Sequence, residues 1–161
     1  MIANDDTPLA RVETLRQDLL ARAAGFWRLS GATLELVAFA AAPNFDHKVR
    51  RDFTEATRSV PLTRDGLGIV AAVLRGETCV SRLEESAAGV GSGHWLLLFG
   101  ARRSVAVPIR DGGGTVRAVV AVAMAESALS DEAIADRLRV AGSEISSPLG
   151  LDASPPGPDN R

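Results

Sequence analysis

The sequence predicts a single α+β domain, and three patterns point to that class. Apolar residues recur at intervals of three and four near the start of the chain and again near its end, which is typical of two amphipathic helices. Between them lie two pairs of short extended runs, each joined by a glycine-containing turn, as in antiparallel hairpins. A length of 161 residues with 46% hydrophobic and 24% charged side chains fits one ordinary globular domain.

The first helix is predicted to follow residues 1–6, which we assign to a disordered N-terminus. Thr7 is a good N-cap, and Pro8 suits the first helical position because proline lacks an N–H there. The apolar stripe of this helix comprises Leu9, Val12, Leu15, Leu19 and Ala23. Gly25 is expected to end the helix.

Two short strands, 26–29 and 33–40, follow the first helix and are predicted to form a hairpin. Ser30 and Gly31 between them are typical turn residues. Strict alternation in the second strand predicts one shared face for Leu34, Leu36 and Ala38.

The middle of the chain alternates between short helices and loops. We expect a polar helix over 46–58, a short helix over 65–76 and a brief strand over 78–81. A loop rich in Ala, Gly and Ser over 83–93 leads into a short apolar helix over 94–99. The glycine spacing of that loop matches neither a dinucleotide-binding loop nor a P-loop, so we interpret it as a mobile lid.

The last part of the chain carries the clearest alternation. A strand over 104–110 turns at a run of glycines into a return strand over 115–124. The return strand is apolar on both faces, which predicts packed structure on both sides of the sheet. Ser130 is expected to cap a final helix. The domain is therefore assigned to 7–146, and the Pro-rich stretch 147–161 to a flexible tail.

Composition and charge argue against several functions. A net charge of −2 and an isoelectric point near 5.7 are unlike those of a nucleic-acid-binding domain. The longest apolar run, 118–125, is far short of the roughly 20 residues that a membrane span needs. The acidic N-terminus lacks the pattern of a signal peptide, so we expect a cytoplasmic protein. His47 and His94 lie in different segments, and we predict no metal and no cofactor.

Three segments resemble GAF domains, a regulatory family related to PAS domains. They are a glycine-turn helix with its following strand over 62–80, the strand Arg103-Ser-Val-Ala-Val-Pro-Ile109, and the return strand 114–120. Ala118 stands where the family usually has glycine. The resemblance covers 9–145. It implies a central antiparallel sheet with the terminal helices on one face and a ligand-sized pocket under loops on the other, a sensory or regulatory role, and often a homodimer.

A cluster of aromatic residues is the candidate ligand site. Aromatic side chains make up only 4% of the sequence, yet Trp95 and Phe99 lie four residues apart on one helical face, next to His94. The resemblance places this region at the pocket and suggests Phe45 and Phe39 as companions. We predict that these five residues bind a small organic molecule. The alternative, equally weighted, is that the aromatic residues are simply core.

Cys79 is the only cysteine, which excludes an internal disulfide. Some GAF-like proteins reduce methionine sulfoxide, but that chemistry needs a nucleophilic and a resolving thiol. We therefore predict that the chain is not an enzyme and that Cys79 packs as a small apolar residue. A redox enzyme acting through Cys79 alone is the less favoured alternative. The patterns typical of bilin-binding and cyclic-nucleotide-binding members are missing.

The terminal helices are predicted to form a homodimer interface. Leu20 lies one residue off the first apolar stripe and widens it beyond a single contact face. The predicted interface comprises Leu15, Leu19, Leu20, Leu138 and Ile145. The domain would then signal through dimerisation or a partner protein. The alternative is a dimeric scaffold without a ligand, whose pocket is filled by its own side chains.

Overall fold

The structure is a computed structural model that describes residues 7–85 and 91–153. In those residues it contains a six-stranded antiparallel sheet and five α-helices. The strands are β1 Ala23–Ser30, β2 Thr33–Ala41, β3 Ser59–Pro61, β4 Cys79–Arg82, β5 Arg103–Arg110 and β6 Val116–Met124. The helices are α1 Pro8–Leu19, α2 His47–Ala56, α3 Gly68–Arg75, α4 Gly91–Phe99 and α5 Asp131–Ser146. The strand order is β3-β2-β1-β6-β5-β4, so the predicted α+β class is confirmed.

The helices are short. The longest, α5, has 16 residues. Across the described parts of the chain, none combines the length and apolarity that crossing a bilayer requires.

The sheet separates two hydrophobic cores. The first, which we call the helix-face core, lies between the sheet and α1 and α5, and the second, the loop-face core, lies between the sheet and α2, α3 and α4. Alternate residues of β6 belong to each: Val120 and Val122 pack in the helix-face core, while Val119 and Ala123 pack in the loop-face core. The prediction that both faces of this strand are covered is confirmed.

The start of α1 agrees with the sequence, but its end does not. Thr7 Oγ1 accepts the Ala10 N–H at 3.1 Å, as expected for an N-cap. The helix ends at Leu19, and the next residue, Leu20, caps it with a left-handed backbone that has φ of 55°. Ala23 and Gly25, predicted to continue and end the helix, instead belong to β1. The reason is long-range, because β1 is the central strand and pairs with both β2 and β6.

A β-bulge alters the predicted faces of β2. Phe26 pairs with Ala38 and Trp27 pairs with Leu36, so Val37 has no partner in the register. Leu36 therefore packs toward the loop-face core, whereas Ala38 is buried in the helix-face core. The prediction that both share a face is wrong, because the extra residue reverses the alternation.

The residues predicted to form a dimer interface mostly pack inside the chain itself. Leu15, Leu19, Leu138 and Ile145 are all buried in the helix-face core. The sheet covers the apolar stripes of both helices, because burying apolar surface there is favourable. These four residues are therefore not available to a second subunit. Leu20 differs, because 85% of it is exposed.

The N-terminus of α5 is anchored to the edge of the sheet. Ser130 Oγ accepts the Ala133 N–H at 3.1 Å, which confirms the predicted cap. Asp131 forms ion pairs with Arg103 of β5, at 2.5 Å, and with Arg82 of β4. These contacts attach the start of α5 to two neighbouring strands of the sheet.

The packed chain extends beyond the predicted boundary at residue 146. Residues 147–149 form a 3-10 helix, and Leu151 is buried in the helix-face core. The Asp152 carbonyl accepts the Gly112 N–H at 2.9 Å. Residues 147–153 thus contribute to the fold, contrary to their assignment to a flexible tail, because Leu151 supplies apolar surface to the core. Residues 154–161 lie outside the described residues.

The elements in the middle of the chain follow the sequence with two differences. The short strand β3 was not predicted, because it forms by pairing with β2 through Val60 and Leu34. The α4 helix begins at Gly91, three residues before the predicted start at His94. Part of the predicted lid, residues 86–90, lies outside the described residues.

Candidate functional site

A cavity of about 70 Å³ lies in the loop-face core, between the sheet and helices α2, α3 and α4. Small side chains of the strands form its floor, which leaves the space open: Ala23, Ala24, Gly25, Ala106, Ala121 and Ala123. Aromatic rings form its walls: Trp27, Phe39, Phe53, Trp95 and Phe99. The arrangement is an apolar slot with aromatic sides.

Trp27 is held rigidly at the base of the cavity. Its indole Nε1–H donates to the Thr57 carbonyl at 3.0 Å, and the ring meets Phe53 edge-on with centroids 6.2 Å apart. The ring lies over Gly25, where a Cβ would approach it to 2.5 Å. The glycine at position 25 therefore allows the tryptophan to lie flat against its own strand.

Phe53 is the centre of the aromatic cluster. Its ring centroid lies 5.0 Å from those of Trp95 and Phe99 and 5.1 Å from that of Phe39. The Trp95 contact is T-shaped, a favourable geometry for aromatic pairs. Four elements, β1, β2, α2 and α4, are connected through this one side chain.

The structure brings three of the five predicted site residues together at the cavity. Trp95, Phe99 and Phe39 line it, with Trp95 half-buried and the other two buried. Phe45 packs against Phe99 at 5.0 Å but does not line the cavity. His94 contacts the Trp95 ring at 4.9 Å and also lies outside the lining. Phe45 and His94 thus support the wall from behind.

Sequence reasoning missed Trp27 and Phe53 as lining residues. Phe53 lies in the charge-rich α2 and is its buried residue. The signal available in the sequence was a large apolar side chain among charged neighbours, because such a side chain is usually buried in a core. For Trp27, no local pattern shows which face of the central strand points to the pocket.

The polar end of the cavity lies where α3 and α4 begin. Ser92 Oγ accepts the Gly68 N–H at 2.8 Å, and the Ser92 N–H donates to the Gly66 carbonyl at 3.2 Å. Gly91 has φ of 55°, and a Cβ there would overlap the Gly66 carbonyl oxygen. Glycine is therefore needed at this position for the two helices to meet.

An arginine fixes the aromatic cluster from outside the cavity. The Arg22 guanidinium donates to the Phe99 carbonyl at 2.9 Å and to Asn44 Oδ1 at 2.7 Å. It also lies over the Phe45 ring, 5.5 Å from the centroid, as in a cation–π contact. Its charge is thus committed to structural contacts behind the wall.

Cys79 lies at the start of β4 and is half-buried. Its Sγ lies 4.0 Å from the point that a Gly68 Cβ would occupy, yet Cys79 does not line the cavity. No three His, Cys, Asp or Glu side chains gather into a group that could hold a metal ion within residues 7–85 and 91–153.

Comparisons with known proteins find likeness only at the level of structure. No protein-family profile and no curated protein matches the sequence. The GAF domain region of a Geobacter sulfurreducens protein matches with a TM-score of 0.67 and 10% identity, over 89% of this chain and 91% of that one. The GAF domain of a sensor histidine kinase from Bacillus halodurans matches with a TM-score of 0.56 and 14% identity, over 86% and 95%.

A free methionine-R-sulfoxide reductase from Neisseria meningitidis, solved in complex with its substrate, matches as well as the sensor domains do. Its TM-score is 0.60 at 16% identity, over 92% of this chain and 81% of that one. The structural neighbours are mostly GAF domains, so the fold of this chain is GAF-like. The resemblance drawn from the sequence is confirmed for the fold.

The comparisons overturn the prediction that the chain is not an enzyme. Two of the matched structures are methionine sulfoxide reductases, so this fold supports catalysis as well as sensing. The prediction rested on the lone Cys79, and a count of cysteines does not exclude the other reactions that a GAF-like fold can perform. At 16% identity the likeness to the reductases shows the fold alone.

Proposed function

We propose that this chain is a GAF-like sensory domain that binds a small organic molecule in the cavity beside Trp95. The observation that carries the proposal is the cavity itself, which is lined by five aromatic rings in a chain with few aromatic residues. The sensor-kinase domain among the structural neighbours supports a regulatory role.

Filling the empty space of the cavity with a ligand is expected to lower the free energy of the folded protein. Protein interiors leave few voids larger than a water molecule, and an unfilled apolar cavity costs about 24 cal/mol per Å³. At that rate a sealed cavity of 70 Å³ would cost about 2 kcal/mol, and a molecule that fills the space would recover part of such a cost. The aromatic walls offer such a molecule a large contact area at little cost in side-chain entropy.

The sheet connects the cavity to the terminal helices. The cavity floor is formed in part by Ala121 and Ala123 of β6, and their neighbours Val120 and Val122 pack in the helix-face core. A ligand that displaces β6 on one face therefore changes the surface that α1 and α5 contact on the other. This path would carry a signal from the ligand to a partner.

Tryptophan fluorescence tests the proposal, because both tryptophans line the cavity. A metabolite that binds in calorimetry should shift or quench the emission. Trp95→Ala should weaken its binding at least tenfold, since a ring contact is lost. Leu97→Ala, an exposed position on the same helix, is the control and should bind as the wild type does. Equal binding to Trp95→Ala, with the emission of the wild type unchanged, would place the ligand elsewhere.

A second candidate function, a dimeric interaction module, is favoured by the outer surface of α1 and α5. The two helices form a groove with Arg11 and Glu144 at one end, 3.6 Å apart, and Asp18 and Arg137 at the other. Val140, 61% exposed, lies between the two ends. We define this surface by these five residues and call it the charged groove.

The charges of the charged groove complement a second copy of the same surface. A twofold axis along the helices would place Arg11 opposite Glu144 and Asp18 opposite Arg137. A twofold axis across the helices would place Arg11 opposite Asp18 and Glu144 opposite Arg137. Opposite charges face each other in both cases. This favours a dimer in which the ion pairs fix how the two copies are aligned. We propose that this groove, rather than the buried stripes, forms the homodimer interface.

A further inference from the structure

The side chains that line the cavity offer a ligand no charge and few hydrogen-bonding groups. Among its described residues none is charged, and the polar side chains are Thr57, Ser92 and Ser104. The Thr57 hydroxyl donates to the Phe53 carbonyl at 2.9 Å, and the Thr57 carbonyl accepts the Trp27 indole N–H. Thr57 is therefore already committed, and the other hydroxyl groups of the lining are those of Ser92 and Ser104.

A charged ligand would be poorly accommodated in such a lining. An ionised carboxylate or ammonium group loses its hydration on burial and needs an opposite charge or several hydrogen bonds in return. The guanidinium of Arg22 is held behind the aromatic wall by the Phe99 carbonyl and Asn44. The cavity thus selects against net charge on the part of the ligand that enters it.

Ser92 gives the cavity a hydroxyl donor whose side chain is held in place by a hydrogen bond. Its Oγ accepts the Gly68 N–H, and a hydroxyl group that accepts one hydrogen bond still has a hydrogen to donate. The backbone of Ser92 is fixed through its N–H to the Gly66 carbonyl. A ligand oxygen at this end of the cavity would meet a preorganised hydroxyl group.

The volume of the cavity limits the size of the part of the ligand that is buried among the aromatic rings. An apolar cavity of about 150 Å³ in another protein holds benzene, and this cavity has about half that volume. One ring can therefore enter only if a wall residue moves slightly. Trp95 is the half-buried member of the wall, whereas Trp27, Phe39, Phe53 and Phe99 are buried.

We propose, building on the function proposed above, that the part of the ligand that enters the cavity is uncharged and largely apolar, no larger than about one ring, with one hydrogen-bond acceptor that faces Ser92. Three observations support this class: the uncharged lining, the fixed hydroxyl group of Ser92 and the volume of the cavity. The proposal names a chemical class and applies to sensing and to catalysis alike.

Four probes with the same carbon frame test this class: benzyl alcohol, toluene, benzoate and benzylammonium. Each is titrated into the protein while the indole N–H signals of Trp27 and Trp95 are followed by NMR. Benzyl alcohol should bind best. Toluene should bind about fivefold more weakly, the factor expected for one neutral hydrogen bond, and the two ions at least tenfold more weakly.

Ser92→Ala should abolish the difference between benzyl alcohol and toluene, whereas Ser143→Ala, an exposed serine on α5, should preserve it. The comparison of the four probes on the wild-type protein does not depend on how well these variants fold. If benzoate or benzylammonium shifts the indole signals at the same concentration as benzyl alcohol, the proposed class is wrong while the pocket stands. If none of the four probes shifts either signal, the proposed pocket function itself is wrong.

Discussion

At the scale of single residues, Gly25 and Trp27 form an interlocked pair that defines the base of the cavity. A Cβ at position 25 would lie 2.5 Å from the Trp27 ring. The ring cannot swing away, because its Nε1–H is bonded to Thr57 and its face is enclosed by the loop-face core. Gly25→Ala should therefore lower the free energy of unfolding by about 1–3 kcal/mol, the usual cost of overpacking.

Denaturant unfolding measures this cost, and Gly112→Ala is the matched control. A Cβ at Gly112 would make only an ordinary contact, 3.7 Å from the Asp152 carbonyl oxygen. If the two alanine variants unfold at the same denaturant concentration, the Trp27 ring moves aside easily and the base of the cavity is not rigid.

Asp111 organises the turn between β5 and β6. Burial opposes its ionisation and raises its pKa, but the N–H groups of Thr115 and Gly113 and the Arg117 guanidinium outweigh this effect. The pKa of Asp111 is therefore lower in the folded chain than its ordinary value. It follows that the ionised carboxyl stabilises the fold above about pH 4, and that this stabilisation disappears as the pH falls through the lowered pKa.

Asp111→Asn should lower the melting temperature at pH 7, because the amide loses the ion pair with Arg117, which spans 3.3 Å. The gap between wild type and variant should close as the pH falls from about 4 toward 2. Thermal unfolding followed by circular dichroism at several pH values measures the gap, and all other carboxyl groups cancel in the difference. A gap that stays constant with pH would mean that the charge of Asp111 contributes nothing.

At the scale of elements, the short segment 147–153 closes the helix-face core. Leu151 is 8% exposed and belongs to that core, while Leu149 is 39% exposed. Leu151→Ala should cost about 2 kcal/mol of unfolding free energy, the lower end for a buried leucine, whereas Leu149→Ala should cost less than half of that. Equal costs, measured in urea, would show that the segment does not pack in solution.

Elements with local signals were predictable from the sequence. The capping Ser130 and the glycine run between β5 and β6 specify their structures within a few residues, and both predictions are confirmed. The left-handed Leu20, the bulge at Val37 and the strand β3 were not predicted. Each of these depends on which strand becomes the neighbour in the sheet, and a local pattern does not contain that information.

The candidate site was predictable in part for the same reason. Trp95 and Phe99 lie on one helical face, which spacing alone reveals. Phe39 was included through the family resemblance. Trp27 and Phe53 reach the cavity from two elements that are distant in sequence, β1 and α2, so only the tertiary structure identifies them.

At the scale of the whole molecule, the charged groove gives a sharp test of the proposed homodimer. The wild type should sediment as a dimer at tens of micromolar, where a micromolar interface is mostly formed. Asp18→Arg should yield a folded monomer, because the new arginine faces Arg137 or Arg11 of the second copy under either twofold axis. A wild type that stays monomeric at that concentration would refute the proposed interface.

The double variant Asp18→Arg with Arg137→Asp tells the two axes apart. If the axis runs along the helices, the exchanged residues face each other and the dimer returns. If the axis runs across them, Arg11 faces the new arginine and the protein stays monomeric. Arg75→Asp, on α3 and away from the groove, is a control that should leave the dimer intact.

The position of β1 at the centre of the sheet has a consequence for how the chain acquires its structure during synthesis. Ala23 near the N-terminus pairs with Ala123 of β6, so the middle of the sheet stays open until the ribosome has made most of the chain. Until then, the nascent hairpin of β1 and β2 exposes an unpaired edge along β1, which invites pairing with other chains. Contacts so distant in sequence also slow refolding into the range of milliseconds to seconds. The yield of native protein should therefore fall when translation outpaces chaperones that shield that edge.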